Sequence, residues 1–246
     1  MNAPDDYLVI DTETTNNYNA YVVQFGMCYV VGGQVKQSSA FLIQLPDDVR
    51  MEPKAFESHG LSRAHLNYHG LSPYDAFSGM REIVTNGNHT LVGQNLPFDL
   101  RAINFSLKYV GLPAVDFSKR TIMDTGLVYK ADQTGERPEP GEDTYQFFNR
   151  VSDHPRRGVR WNLDLLLEKF NIGKREGKYH DAAEDIVLTN KLYRVLRDEG
   201  YFERVLNGER SDDRGGPGLP AHGADRSAPG PVGGRVHADR GSVLPY

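Results

Sequence analysis

The first third of the chain carries the hydrophobic pattern of β-strands. Residues 7–10 form a short apolar run that ends at Asp11, and residues 21–31 are rich in β-branched and aromatic side chains. The glycine pair Gly32 and Gly33 is a turn signal of the hairpin type, so residues 35–45 are predicted to form the returning strand. Strands joined by connections this short are expected to be antiparallel.

After Pro46 the apolar residues take the spacing of helices, interrupted by short apolar runs. The predicted helices cover residues 73–84, 96–110, 163–170 and 181–196, and the predicted strands between them cover residues 89–93 and 120–123. Strands first and β-α alternation later predict an α/β fold in which helices cover a mixed sheet.

Two stretches break this pattern. Residues 131–160 are polar and rich in proline, glycine and charge, which predicts a long excursion from the domain. From Gly208 to Tyr246, 14 of 39 residues are glycine or proline, a composition that cannot bury enough apolar surface to offset the entropy of ordering. We therefore predict one folded domain at residues 1–205 and a disordered tail at residues 206–246.

Composition narrows the class of protein. With 39% hydrophobic and 25% charged residues, the chain is able to bury a sizeable core, and no stretch approaches the roughly 18 apolar residues of a membrane span. Cys28 is the only cysteine, which excludes an internal disulfide. These features, with no secretory signal visible, predict a cytoplasmic protein without membrane association. The net charge of −5 argues against a protein that coats nucleic acid, but not against a nuclease that holds cations between carboxylates.

The first chemical signal is the segment from Asp11 to Thr15, at the end of the first strand. Residues i and i+2 of a strand point to the same face, so the carboxylates of Asp11 and Glu13 project together. Two adjacent carboxylates raise each other's pKa unless a cation lies between them. The plain alternative is a surface strand that ends in a threonine-rich turn.

Two further segments carry carboxylates. In residues 95–99, Asp99 opens a helix, where it is either a ligand or a side chain that interacts favourably with the helix dipole. In residues 180–185, His180 and Asp185 enter the last long helix. The alternative there is that Asp181 caps the helix and Asp185 is an ordinary exposed residue.

Together, four carboxylates and a histidine predict a two-metal hydrolase. Carboxylate oxygens suit hard cations such as Mg²⁺ and Mn²⁺, and two such ions stabilise the attacking and leaving oxygens at a phosphodiester. Histidine gains and loses protons near neutral pH, so His180 is able to accept a proton from the attacking water.

These segments resemble the motifs of the DEDD exonucleases, in particular the histidine subgroup (DEDDh), which includes the proofreading subunit of bacterial replicative polymerases, ribonuclease T and oligoribonuclease. Asp11 and Glu13 match D-x-E-T-T, Asp99 matches N-x-x-F-D, and His180 and Asp185 match H-x-A-x-x-D. With residues 55–62, 124–125 and 162–167, the resemblance covers about residues 6–200.

The resemblance implies a ribonuclease H-like fold, in which helices flank a mixed sheet of five strands. It implies a 3′→5′ exonuclease that releases nucleoside 5′-monophosphates from the end of single-stranded DNA or RNA. Two ions, Mg²⁺ or Mn²⁺, would be held by Asp11, Glu13, Asp99 and Asp185, with His180 as the general base. DNA and RNA both stay open as substrates, because ribose discrimination depends on the shape around the 2′ position.

The resemblance also suggests residues that hold the last nucleotide: Thr14, His59 and Phe98. Phe98 is equally well explained as a plain core residue. Gln24 and Gln94 depart from the family, which commonly has an acidic residue and a histidine at these positions. These departures bear on substrate handling rather than on catalysis.

Residues 145–161 combine basic with aromatic side chains, a pattern that suits single-stranded nucleic acid. Arg156, Arg157 and Arg160 are the predicted strand contacts, in a cluster that also contains Arg150. The alternative is a solvated loop whose aromatic residues anchor it to the core.

A hypothesis from another class is a non-catalytic or scaffolding subunit that is tethered to a polymerase or other replication partner through its tail. The complete set of four acids and a histidine argues against this hypothesis, since a subunit without catalytic function would not need to retain these residues. Metal-dependent release of mononucleotides separates the two hypotheses.

Overall fold

The computed structural model describes residues 3–87, 89–155 and 158–208. The described strands are β1 (Tyr7–Thr14), β2 (Val22–Val31), β3 (Gln34–Leu42), β4 (Thr90–Gly93) and β5 (Ile122–Asp124). The described helices are α1 (Pro53–His59), α2 (Arg63–His69), α3 (Pro73–Thr85), α4 (Leu96–Tyr109), α5 (Thr125–Thr134), α6 (Thr144–Asp153), α7 (Leu163–Lys169), α8 (Ala182–Asp198) and α9 (Tyr201–Leu206), with a 3₁₀ turn at Phe117–Lys119. Helix α9 ends one residue past the predicted domain boundary, and the predicted tail from residue 209 onward lies outside the described residues.

The sheet has the strand order β3-β2-β1-β4-β5. Strands β1, β2 and β3 are antiparallel neighbours, whereas β4 pairs with β1, and β5 with β4, in parallel. This confirms the predicted mixed sheet of five strands and its antiparallel first half.

Burial explains the place of each strand in this order. The apolar residues of β1 are buried on both faces, as expected for a central strand covered by helices. Strand β3 is largely exposed and carries glutamine, lysine and serine side chains. Such a polar strand is suited to the sheet edge, where it discourages pairing with another chain.

The structure differs from the predicted excursion at residues 131–160. This stretch contains the end of α5 and all of α6, which begins with a capping box between Asp143 and Gln146. Phe147, Phe148 and Val151 of α6 are fully buried. The polar composition misled the prediction, because α6 presents only one narrow apolar face to the core.

Helix α8 lies close to the sheet beside Asp11. Asp11 is paired with Gly26 on β2, so the side chains of these two positions share one face of the sheet. A Cβ atom on Gly26 would lie 2.5 Å from the carbonyl oxygen of Ala182, in the first turn of α8. The missing side chain at Gly26 therefore allows α8 to begin directly over the face to which Asp11 points.

In the part of the chain that the structure describes, the helices are all too short or too polar to cross a membrane. The compartment in which the protein acts stays a prediction.

We expect Gly26→Ala to lower the free energy of unfolding by about 1–3 kcal/mol, because the added methyl group overpacks the contact with Ala182. Gly79→Ala is the matched control. Gly79 lies on α3 with open space around it, so the same change there should leave stability unchanged or raise it by up to about 1 kcal/mol. Denaturant unfolding measures both variants. Equal stability of Gly26→Ala and the parent protein would show that the close approach of α8 is not a constraint.

Candidate active site

Strand β1 brings two carboxyl groups to the face covered by α8. The side chains of Asp11 and Glu13 lie two positions apart, opposite Gly26 and Gln24 of β2. The β1–β2 register shifts between Glu13, which pairs with Gln24, and Thr14, which pairs with Val22. Glu13 is buried although it carries an ionisable group, which is unusual without a charged partner.

Asp99 is fixed against β1 from the first turn of α4. Its Oδ1 atom accepts hydrogen bonds from the backbone N–H of Thr12 at 3.0 Å and from the Thr12 hydroxyl at 2.5 Å. The start of α4 is held in turn by the fully buried Asp124, which accepts from the N–H of Leu96 at 2.5 Å and from the N–H of Leu127 at 2.7 Å. One carboxylate thus ties the beginnings of α4 and α5 together and sets the position of Asp99.

Asp185 and His180 complete the cluster from the start of α8. Asp185 is buried, so it is not the exposed helix residue of the plain alternative. One ligand atom each of Glu13, His180 and Asp185 lie within 4.8 Å of one another, an arrangement that could hold a metal ion. The backbone N–H of His180 donates to the carbonyl of Ser58 at 2.9 Å, which fixes the histidine against the end of α1 while its side chain remains about half exposed.

The four carboxyl groups share one electrostatic environment. Burial raises the pKa of Asp11, and the neighbouring carboxylates of Asp99, Asp185 and Glu13 raise it further. Burial likewise raises the pKa of Glu13 to about 8 and that of Asp99 to about 7. Clustered carboxylates with raised pKa values attract cations, and oxygen ligands of this kind fit Mg²⁺ or Mn²⁺.

The approach of α8 to the sheet is secured by Gln24. Its side-chain amide donates to Asp181 Oδ1 at 2.8 Å, and its Oε1 accepts from the N–H of Ala182 at 3.2 Å. Asp181 also accepts from the N–H of Ala183 at 3.0 Å, so it is the cap of α8, as one alternative proposed. An acidic residue at position 24 would be unable to donate to Asp181 and would repel it.

The three candidates for holding a nucleotide line one cavity of about 260 Å³, next to Glu13. These residues are Thr14, His59 and Phe98. The Nδ1 atom of His59 accepts from the N–H of Leu61 at 3.0 Å, so its Nε2 donates to the Thr14 carbonyl at 3.3 Å. Burial lowers the pKa of His59, which favours this neutral form. His59 therefore stabilises the end of β1 and forms the wall of the cavity.

A second cavity, of about 550 Å³, reaches from Asp11 and Asp185 to Arg160 and Trp161. The main chain of Trp161 is held in place by Gln94, whose amide donates to the Trp161 carbonyl at 2.6 Å. Arg160 is exposed on the wall of this cavity, whereas residues 156–157, the other predicted strand contacts, lie outside the described residues.

Arg150, a member of the predicted basic cluster, is part of the protein's own ion pairs. Its guanidinium donates to Glu136 at 2.9 Å and to Glu142 at 2.8 Å. The aromatic residues Phe147 and Phe148 are buried, as the alternative of a core-anchored segment predicted. For this half of the segment, the structure favours the alternative over nucleic-acid binding.

Arg175 is a residue of the cluster that sequence reasoning missed. It lies in the loop between α7 and α8, where it forms ion pairs with Asp185 and with Asp164, the latter at 2.9 Å. The sequence showed only a loop rich in glycine and lysine, in which the acidic partners of an arginine cannot be identified without the fold.

We expect Glu13→Gln to stabilise the metal-free protein by several degrees near pH 8 and to change little near pH 5. Because the pKa of Glu13 is about 8 in the folded state and about 4.3 when unfolded, the folded state holds an extra proton between these values, so its stability falls as the pH rises. Because glutamine does not ionise, the Glu13→Gln variant does not lose stability in this way as the pH rises. Thermal unfolding across the pH range in the presence of a chelator measures it, and a parent protein more stable than the variant near pH 8 would contradict it. Mn²⁺ should reverse the order near pH 8, since a cation favours the ionised carboxylates.

Solved structures of a known nuclease superimpose on this chain. Exonuclease I of E. coli in complex with a dA16 oligonucleotide superimposes with a TM-score of 0.62 at 17% identity, over 82% of this chain and 44% of that chain. The complex of the same enzyme with a 5cy-dT13 oligonucleotide gives 0.63 at 16% identity, over 82% and 43%. Its zinc-bound complex with single-stranded DNA gives 0.62 at 17% identity, over 81% and 42%.

At these identities the likeness shows the fold, and it confirms the ribonuclease H-like architecture. The chain spans less than half the length of these structures. No curated protein matches the chain. The model of the RNase T family, described as exonuclease, matches residues 8–193. The chain therefore belongs to the RNase T exonuclease family.

Proposed function

We propose that the protein is a 3′→5′ exonuclease that hydrolyses the terminal phosphodiester bond of DNA or RNA and releases nucleoside 5′-monophosphates. The observation that carries the proposal is the convergence of the carboxyl groups of Asp11, Glu13, Asp99 and Asp185, from a strand and two helices, beside two cavities. Membership of the exonuclease family supports the same chemistry.

The four carboxylates would hold two divalent cations, Mg²⁺ or Mn²⁺, which supply positive charge to the attacking and leaving oxygens when bound. The raised pKa values of Glu13 and Asp99 support this assignment, because burial disfavours their ionised forms and a bound cation would stabilise those forms. His180 is placed to accept a proton from the attacking water, since its side chain is half exposed beside the buried carboxylates.

The two cavities suggest how a strand is held. Thr14, His59 and Phe98 would enclose the last nucleotide in the smaller cavity, with Glu13 at its edge. The larger cavity on the other side, with Arg160 and Trp161, would take the nucleotides that precede it. The structures of exonuclease I with dA16 and dT13 oligonucleotides support single-stranded DNA as one substrate of this fold.

We expect release of mononucleotides from 3′-labelled single-stranded DNA, from duplex DNA with mismatched ends or from short RNA, in the presence of Mg²⁺ or Mn²⁺ and not of a chelator. Asp11→Asn should reduce the rate by at least about a hundredfold without unfolding the protein, because a ligand carboxylate is lost. Asp47→Asn is the matched control, since Asp47 is fully exposed and distant in sequence from the cluster. A folded parent protein that degrades none of these substrates would favour the scaffolding hypothesis.

The variant His180→Ala tests in the same assay whether His180 is the general base. If His180 is the general base, activity should fall about 10²–10⁴-fold while the affinity for Mn²⁺ is unchanged. The contact of His180 with Glu13 and Asp185 also permits a ligand role, in which case the affinity for Mn²⁺ would fall together with the rate. Calorimetric titration with Mn²⁺ measures the affinity for the ion and so distinguishes a general base from a metal ligand.

We expect neutralisation of Arg156, Arg157 and Arg160 to weaken binding of a single-stranded oligonucleotide and to flatten its dependence on salt, because fewer counterions are released. Arg150→Gln is the control. Since Arg150 is paired with Glu136 and Glu142, its loss should lower stability and leave the salt dependence unchanged. Fluorescence anisotropy at low and high salt measures the affinity. Unchanged affinity of the triple variant at both salt concentrations would contradict the prediction.

A further inference from the structure

Arg175 binds the acidic cluster from a loop that the family motifs do not include. Its Nη1 atom donates to Asp185 Oδ1, and its Nε atom donates to Asp164 Oδ1 at 2.9 Å. The side chains of Arg175 and Asp185 are only 10% and 6% exposed, whereas that of Asp164 is 58% exposed. The guanidinium therefore joins one buried carboxylate of the cluster to one exposed carboxylate outside it.

The guanidinium of Arg175 and a divalent metal ion would compete for the carboxylate of Asp185. The Glu13, His180 and Asp185 group has the spacing of a metal site, and one oxygen of Asp185 is already occupied by Arg175. A divalent cation and a guanidinium at the same carboxylate repel each other, and the repulsion is strong where little water screens it. Binding of an ion at Asp185, whose Oδ2 atom faces His180, would therefore weaken the bond from Arg175 Nη1 to Oδ1 and favour its departure.

Asp164 provides a second position for the arginine. It lies in the first turn of α7 and faces the same 550 Å³ cavity, but it is not a member of the metal-site group. The loop that carries Arg175 has glycine at positions 173 and 177 and is exposed on both sides of the arginine. A guanidinium that leaves Asp185 is able to remain paired with Asp164 through Nε.

We propose that Arg175 is a resident counter-ion of the acidic cluster, which divalent cations displace from Asp185, so that Arg175 sets the cation concentration at which the site fills. The inference rests on the proposed metal site. It makes Arg175 a positioning residue that holds Asp185 in the absence of ions. It also gives Asp164 a role as the anchor of the displaced arginine.

Calorimetric titration of the full chain with Mn²⁺, without nucleic acid, tests this directly. Arg175→Gln should bind Mn²⁺ about tenfold more tightly than the parent protein, because a hydrogen bond to a charged group no longer has to be broken. Lys174→Gln is the matched control. It removes the same charge one position earlier, from an exposed side chain, and should change the affinity by less than twofold. Equal or weaker binding by Arg175→Gln, or the same gain in both variants, would overturn the proposal.

Two further variants make the result independent of the folding of Arg175→Gln. Arg175→Lys keeps the charge but offers a single ammonium group, which cannot bridge Asp164 and Asp185, and should tighten Mn²⁺ binding by a smaller factor. Asp164→Asn should weaken Mn²⁺ binding in the parent protein and have a smaller effect when combined with Arg175→Gln. Equal effects in both backgrounds would show that Asp164 does not act through the arginine.

The same titration separates this inference from the function on which it rests. Absence of Mn²⁺ binding by the parent protein, with no difference on Asp11→Asn, would mean that the proposed metal site itself fails. Binding by the parent that Asp11→Asn weakens, but that Arg175→Gln leaves unchanged, would reject only the role of Arg175.

Discussion

Four carboxyl groups buried close together, and largely shielded from water, dominate the electrostatics of this structure. Asp11, Glu13, Asp99 and Asp185 each carry a pKa that burial raises, and the first of these is raised further by the other three. Such groups destabilise a fold when they ionise without a partner, because the loss of hydration is not repaid. Within the protein, the hydrogen bonds from Thr12 to Asp99 and the ion pair between Arg175 and Asp185 favour the ionised forms of these two carboxyl groups.

The frame that holds the carboxylates in place is built from polar residues that take no part in the chemistry. Asp124 joins the beginnings of α4 and α5, and Gln24 joins β2 to the cap residue of α8. Gln94 connects the end of β4 to Trp161, and its Oε1 accepts a hydrogen bond from Thr125 at 2.5 Å. Gln24 and Gln94 both depart from the common family pattern. Both are satisfied by internal partners, so the departures are explained by the local hydrogen-bond network, and neither removes a candidate ligand.

Elements with a sustained apolar face, including the seven-residue helix α7, could be predicted from the sequence, whereas the other short helices and the long-range ion pairs could not. Strand β2 and the helices α3, α4 and α8 lie close to their predicted bounds, because each carries a sustained apolar face, whereas β1 continues past its predicted apolar run to Thr14. Helices α1, α2 and α9 have six or seven residues and too few apolar positions for a periodicity to appear. Helix α6 was hidden by its polar surroundings, although the spacing of Asp143 and Gln146 was a usable start signal. Arg150 and Arg175 could not be placed, since the carboxylates that bind them are set by the fold and not by the neighbouring sequence.

The distribution of charge also links the binding of cations to the binding of a nucleic acid strand. The larger cavity is lined by two arginines, Arg160 and Arg175, but the second is neutralised by Asp185 and Asp164. With a formal net charge of −5 and carboxyl groups among the residues that line the cavity, these groups in their ionised forms would repel the phosphates of a nucleic acid strand. Divalent cations held by these carboxylates would reduce the repulsion, and on the proposed exchange one N–H of Arg175 at the wall of the cavity would no longer be bound to Asp185. On this proposal, binding of the cations would favour binding of the strand, because the carboxylates that would repel the phosphates are the groups proposed to hold the ions.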